Sequence, residues 1–458
     1  MIKRRERKVS RTALIGENSV EYVNALIDIW NNSDCAVLLD WRIPFPTIIK
    51  MMKEANVNKC YIERDKYEKK TCIFPFEMEV VIYDRKLKSP QILPQYIYDK
   101  YTDNYSRNEA LIIYSSGTTG TSKGIILSHY AIQTNADAII DYIKPTKSDC
   151  FYITKTMSHS STIIGELLVI LKSKIPVLIA PVIVPPRFIL NNIEKYKITI
   201  LFLNPTLLSL ISREFQKKEY GIASLRTIYV SGSVLDDRLY SEAHSIFYNI
   251  PIYNVYGLSE AGPRVTAQRV GCCQNNSVGR PIKNVNVMIV DESGNLVSEG
   301  NRGVIHVNSP SLFSGYVSGK LKHKPLYKNW LNTGDIGFWD KNKELHIIDR
   351  IDNLFIIDSH KIYPSEVERQ ILFIPGIWEC AVIEIYYKDK ILAACAYAGE
   401  YCSVFEFKRR LSCSLMPYEI PSIFMNLKEL PKTITGKLDR ENIRKIVTEY
   451  IEEAGTNG

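Results

Sequence analysis

From residue 10 to about residue 260, short apolar runs alternate with longer stretches in which apolar positions recur every three or four residues. The short runs are rich in β-branched and aliphatic residues and predict buried strands. The longer ones predict helices that cover them. Strands are expected at residues 12–15, 36–39, 110–113, 125–127, 177–179, 198–203, 227–230 and 252–255. Helices are expected at 20–30, capped by Asn18 or Ser19, and at 47–54, 167–171, 206–215 and 236–247. After residue 280 the pattern changes. Runs at 285–290 and 303–307 flank Asp291-Glu292-Ser293-Gly294, which reads as antiparallel hairpin structure continuing to Asp349. Beyond Asp352, helices near 365–372, at 404–411 and after 441, with strands at 381–386 and 391–397, predict a compact unit. The fold class expected is α/β. A large N-terminal domain, 1–350, would hold helix-covered, mostly parallel sheets plus a β-rich subdomain. A small mobile α+β C-terminal domain, 351–458, would follow the charged stretch Asp349-Arg350-Ile351-Asp352. At 458 residues two domains are the natural division.

Composition narrows the function. Hydrophobic residues make up 45% and charged residues 24%, an ordinary globular balance. No apolar run reaches the roughly 18 residues of a membrane span. The basic start, Met1 to Lys8, has no apolar signal core after it and reads as a solvated tail. Ten cysteines occur without metal-ligand spacing, as expected of reduced thiols in a cytoplasmic protein. The net charge of +8 suits phosphate-bearing ligands. No basic–aromatic stripe argues for nucleic acid.

The chemistry centres on Tyr114-Ser115-Ser116-Gly117-Thr118-Thr119-Gly120-Thr121-Ser122-Lys123-Gly124, a loop set between two predicted strands. Glycines let backbone N–H groups turn inward around an anion, hydroxyls add donors, and lysine adds a point charge. A polyphosphate cradle is expected. The Walker-A pattern fails, because Lys123 is followed by Gly124 and Ser122 stands where its second glycine belongs.

Further stretches fit the same chemistry. Asn254-Val255-Tyr256-Gly257-Leu258-Ser259-Glu260 follows a predicted strand, so Gly257 falls at its carboxyl end, where open α/β sheets bind ligands. Glu260 suits a Mg²⁺ ligand, and Tyr256 offers a flat face to a base. Trp330-Leu331-Asn332-Thr333-Gly334-Asp335 is expected to be a polar turn that presents Asp335 to a ribose diol. Pro431-Lys432-Thr433-Ile434-Thr435-Gly436-Lys437-Leu438-Asp439-Arg440 is a glycine-hinged loop carrying Lys437.

Together these stretches, spanning residues 114 to 440, resemble the motifs of the adenylate-forming (AMP-binding) superfamily: acyl- and aryl-CoA synthetases, peptide-synthetase adenylation domains and luciferases. Asp349-Arg350-Ile351-Asp352-Asn353 and Pro364-Ser365-Glu366-Val367-Glu368 add to the resemblance. Against the family pattern, Asp349 and Ser359 each replace a glycine, and the N-terminus reads as trimmed. The resemblance implies ATP and Mg²⁺ as cofactors. It implies nucleotide contacts from Ser115, Ser116, Gly117, Thr118, Thr119, Gly120, Lys123, Gly232, Ser233, Asn254, Tyr256, Gly257, Asp335 and Arg350. Lys437, Thr119 and Glu260 would be catalytic, Glu260 would hold the metal, and Asp352 would be the hinge.

The acid is expected to lie against His159, Gly165, Ser231 and Leu258. No Asp or Glu occurs between Lys155 and Gly165, so an α-ammonium would lack its counter-charge, which disfavours an ordinary α-amino acid. The expected activity is ATP-dependent adenylation of an acyl or aryl acid. Transfer would follow to the phosphopantetheine thiol of a carrier protein, which Ser359 favours, or of coenzyme A. The alternatives are a β-amino or unusual amino acid as substrate, and a non-catalytic nucleotide-binding relative.

Overall fold

A computed structural model describes residues 9–68, 74, 77–86, 90–115, 123–181, 184–233, 235–272, 276–319, 326–327, 329–388, 390–433 and 437–456. The chain folds into two compact units: 1–235, 242–288 and 306–333 form the first, and 236–241, 289–305 and 334–458 the second.

The first unit is built on two large sheets. In one, the strands Arg11–Ile15, Cys35–Leu39, Lys59–Glu63, Glu79–Tyr83 and Glu109–Ser115 pair in parallel. Lys123–Ser128 and Gly315–Tyr316 close one edge antiparallel. In the other, Phe151–Ile153, Val177–Ile179, Ile200–Leu203, Thr227–Val230 and Ile252–Tyr256 are parallel. Antiparallel strands end it on both sides. Central strands read as nearly continuous apolar runs because both faces are covered: all five residues of Cys35–Leu39 and all four of Ile200–Leu203 are buried. The helix Val20–Asn31 starts where expected, with the Ser19 side chain accepting from the Tyr22 N–H. Asn18, the other candidate cap, instead binds across the fold. Its amide donates to the Lys155 carbonyl at 2.7 Å, and its oxygen accepts from the Met157 N–H at 2.9 Å.

Two expectations need correcting. Residues 330–335 are not a turn. They open the strand Trp330–Trp339, and Asp335 pairs across the ladder with Arg350 of the strand Leu345–Arg350. Thr-Gly-Asp has turn composition, but a partner strand ten residues on supplies ladder bonds that override it. The helix expected at 167–171 starts earlier and differently: Ile163–Leu168 is a π-helical turn, continued by the α-helix Val169–Ser173.

In the second unit, Ile377–Tyr387 and Lys390–Gly399 pair antiparallel, and Ile423–Leu427 joins parallel to the latter. Side chains alternate across this sheet. Val382, Cys395 and Tyr397 pack with Phe407 and Leu411 on one face, while Ala381, Ile383, Ile385 and Ala396 pack with Ile443 and Val447 on the other. The helices Pro364–Leu372 and Val404–Leu411 thus share the first face, and Arg440–Thr456 covers the second.

Candidate active site

The loop at the centre of the sequence reading lies largely outside the described residues: Ser116, Gly117, Thr118, Thr119, Gly120, Thr121 and Ser122 all do. Its two ends are described. Ser115 closes one strand, Lys123 opens the next, and the two stand opposite each other in the antiparallel ladder. Lys123 is exposed and its Nζ lies 5.9 Å from the centre of the Tyr316 ring. The Tyr316 hydroxyl donates to Oε1 of Glu260 at 3.0 Å. The strand Gly315–Tyr316 pairs with Ile125 and Ile126, and the Phe313 N–H donates to the Glu260 carbonyl at 2.9 Å. Lys123 and Glu260 are therefore brought together through Tyr316, a residue no motif marked.

Glu260 follows the strand Ile252–Tyr256 in a short 3₁₀ turn, Ser259–Ala261. Among the described residues no three His, Cys, Asp or Glu side chains gather into a metal cage. One carboxylate fixed by Tyr316, whose ring Lys123 approaches, fits Mg²⁺, which keeps most of its waters and takes one or two carboxylates plus substrate phosphates. At Gly257 the chain doubles back so tightly that a Cβ would stand 2.3 Å from the Pro263 carbonyl oxygen. Tyr256 and Leu258 flank this turn, both half-buried.

The segment expected to border the acid meets this turn directly. Ser160 and Ser259 share a hydrogen bond at 2.8 Å. His159 precedes the helical turn Ser160–Thr162 and is half-buried. Its charge acts on Asp40, whose carboxyl is driven up by burial but drawn lower on balance by its bonds to Arg42 and by His159. Gly165, in the π-helical turn, abuts the Arg264 guanidinium.

Ser231 is buried and its N–H donates to the Leu203 carbonyl; Gly232 and Ser233 are exposed, with Gly232 at φ +102°. Asn254 is buried: its amide donates to the Ser277 carbonyl at 3.2 Å, and its backbone N–H to Gln268. Those bonds hold the strand's end in place.

In the second unit, Asp335 is buried and accepts from Arg350 Nη1 at 3.2 Å; Arg350 Nη2 also reaches Asp352, which is exposed, at 3.4 Å. Asp349, the substitute for a family glycine, has a visible task. Its carboxylate accepts from the Arg350 N–H, the Asn353 amide and the Ser365 N–H, tying the strand end to the first turn of Pro364–Leu372. Ser359 and Asp358 both take left-handed backbone, φ +67° and +47°, in the two-residue turn between Phe355–Ile357 and His360–Ile362. Such a turn asks for glycine on backbone grounds. Lys437 is exposed, and its carbonyl accepts from the Thr433 N–H at 2.8 Å. Lys432 and Leu438 bridge the stem of its loop, whose residues Ile434, Thr435 and Gly436 lie outside the described ones.

Residues 4–317 match the model of a family described as AMP-binding enzyme. The chain is 27% identical over 348 residues to the indoleacetate–CoA ligase of Aromatoleum aromaticum, covering 74% of this chain and 67% of that one. It is 24% identical over 453 residues to the 2-succinylbenzoate–CoA ligase of Bacillus mycoides, covering 97% and 90%. The crystal structure of ATP-bound MatB from Rhodopseudomonas palustris superposes with a TM-score of 0.85 at 21% identity, over 96% of this chain and 89% of that one. At that identity the superposition speaks for the fold.

Proposed function

Since the chain belongs to the AMP-binding enzyme family, we propose that it joins a carboxylic acid, acyl or aryl, to AMP and then to a thiol. The chain is an ATP-dependent acid–thiol ligase. In the first half-reaction a carboxylate oxygen attacks the α-phosphorus of ATP and pyrophosphate leaves. In the second a thiol sulfur attacks the acyl carbon and AMP leaves. The observation that carries this reading is the linkage of Lys123 to Glu260 through Tyr316 at the base of the loop.

Each residue has a task in that scheme. The loop from Ser115 to Lys123, with Thr119 among its hydroxyls, cradles the phosphates. Glu260, fixed by Tyr316, would hold Mg²⁺, which when bound neutralises phosphate charge. Tyr256 packs on the base, Asp335 takes the ribose hydroxyls with Arg350 beside it, and His159 borders the carboxylate. Lys437 neutralises charge passing from the carboxylate to pyrophosphate. The small C-terminal part turns about Asp352 between the half-reactions, as lids and domains do in many enzymes. The acceptor is a phosphopantetheine thiol, of coenzyme A or a carrier protein. The left-handed backbone at Ser359 supports reading the family's glycine there as a need of the turn, and the named relatives support coenzyme A.

The test is acid-dependent exchange of labelled pyrophosphate into ATP, with Lys437→Ala as the diagnostic variant. That variant should lose on the order of 100- to 1000-fold in exchange, the range for one preorganised charge-stabilising group. Given premade acyl-adenylate and thiol, it should form thioester near the normal rate. Loss of both half-reactions in a folded variant, or of neither, would overturn the assignment.

A further inference from the structure

A second group of charges sits in the first unit, and no step above uses it. Lys155, Glu166 and Arg264 come together with Glu166 0% and Arg264 1% exposed. Lys155 Nζ is 2.9 Å from Glu166 Oε1, close as a charge pair but poorly aligned as a hydrogen bond. Both cations lie beside one ring: Lys155 Nζ is 5.9 Å and Arg264 Cζ 5.8 Å from the centre of Phe202. Arg264 donates from Nη1 to the Pro263 carbonyl at 2.9 Å. Its Nε and Nη2 make no well-aligned hydrogen bond, though the guanidinium lies close to the Tyr142 hydroxyl, whose pKa burial raises against the pull of the guanidinium; Glu166 Oε2 is likewise unbonded.

The group carries two cations and one anion. Burial pushes Glu166 up and Lys155 down, but a proton passing between them leaves the sum unchanged. With Lys155 protonated one positive charge is uncompensated; with its proton lost to solvent, Glu166 is left to balance Arg264. Among the described residues no carboxylate ion-pairs with Arg264. Burying a guanidinium with no carboxylate aligned to its donor edge is costly. A fold that retains such a group has a use for it.

Position and shape indicate the use. Nε and Nη2 form one edge of the guanidinium, spaced like the two oxygens of a carboxylate. The guanidinium lies behind Gly165, where an added Cβ would stand 3.2 Å from Nη2. The Arg264 backbone lies behind Gly257, where an added Cβ would stand 2.8 Å from its N. These two glycines belong to the segments that carry His159 and Tyr256, which Ser160 and Ser259 join. Being buried, Arg264 can meet only the inner end of a bound acid. We propose that Arg264 is the specificity-determining residue of the acid pocket, and that the acid it selects carries a second carboxylate at its far end, received by the Nε–Nη2 edge. This rests on the reading of the site as an acid-adenylating centre.

The test is pyrophosphate exchange by the intact chain with matched pairs: straight-chain and aryl dicarboxylic acids, each beside its monomethyl ester. The wild type should favour at least one diacid over its ester by on the order of 100-fold or more, as sites built to bond a polar group reject analogues lacking it. Arg264→Met, similar in length and without donors, should bring that ratio near one while the ester is still turned over. Esters or apolar monoacids outrunning every diacid in the wild type would overturn the proposal. So would an unchanged ratio in Arg264→Met. Should that variant fail to fold, the wild-type ratios decide alone. Exchange confined to monoacids removes this proposal and leaves the reaction standing; no exchange with any acid removes both.

Discussion

Glu368 with half-buried Arg440, and Glu166 with Lys155 and Arg264, are ion groups built on a buried glutamate in different units, and only the first is closed. Arg440 Nη2 donates to Glu368 Oε2 and Nη1 to the Val382 carbonyl, each at 2.8 Å, while Glu368 Oε1 accepts from the Val382 N–H at 2.7 Å. Burial still raises the Glu368 carboxyl, against the pull of Arg440. The Glu368 carboxylate and both terminal nitrogens of Arg440 are bonded inside the chain, joining the helix Pro364–Leu372, the strand Ile377–Tyr387 and the helix Arg440–Thr456. Around Arg264, by contrast, donors are left over. The difference separates two reasons for burying charge: a closed group orders elements, and an open one awaits something from outside. It also recasts two motif residues, since Glu368 and Arg440 serve architecture.

The largest expected effect breaks the closed group. Arg440→Met strands Glu368 without its cation and should cost about 3–5 kcal/mol of stability in urea unfolding. A loss under about 1 kcal/mol would erase the contrast. A second closed pair sharpens it. Asp149 is 4% exposed and accepts from Arg226 at 2.7 and 3.0 Å, from Thr199 Oγ at 2.7 Å and from the Thr146 N–H at 2.7 Å. Burial raises its pKa, but these bonds outweigh burial and bring it to about 2. The folded value lies below the ordinary one near 4, so the contribution is present above pH 4 and lost as pH falls from about 4 to 2. That is at most about 2 kcal/mol, and Asp149→Asn should flatten that part of the pH–stability curve. The smallest effect belongs to the open group. Arg264→Met removes a buried charge and its unbonded donors while keeping the side chain's length, and should raise stability in urea unfolding by about 1 kcal/mol.

The sequence showed some of this and hid the rest for physical reasons. Strands at 177–179 and 227–230 and the helix at 404–411 match the structure because short apolar runs and a clean 3.6-residue period are local signals. The helix His129–Ile143 gives no clear sequence signal, since Gln133, Asn135 and other polar residues interrupt its apolar face; both of these are buried and bonded. The strand at 330–339 was misread because its cause is a partner strand. Of the candidate residues, the loop, Tyr256, Glu260 and Lys437 stood out as runs of residues with a shared chemistry. Tyr316 and Arg264 did not. Each acts across the fold on a residue far away or on a neighbour across a turn, and a lone Tyr or Arg in an ordinary stretch carries no signal.

Gly257 sets how this chain can vary. With a carbonyl oxygen 2.3 Å from where any Cβ would sit, the alphabet at position 257 shrinks to one letter, because no rotamer moves a Cβ. Gly232 is limited differently: little crowds it, and only its φ of +102° resists other residues. That is a penalty of roughly 1–2 kcal/mol, which a stabilising change elsewhere could offset. Lineages descending from this protein can therefore wander at 232 while 257 stays frozen, and the turn after the strand Ile252–Tyr256 will outlast Gly232 as a record of ancestry.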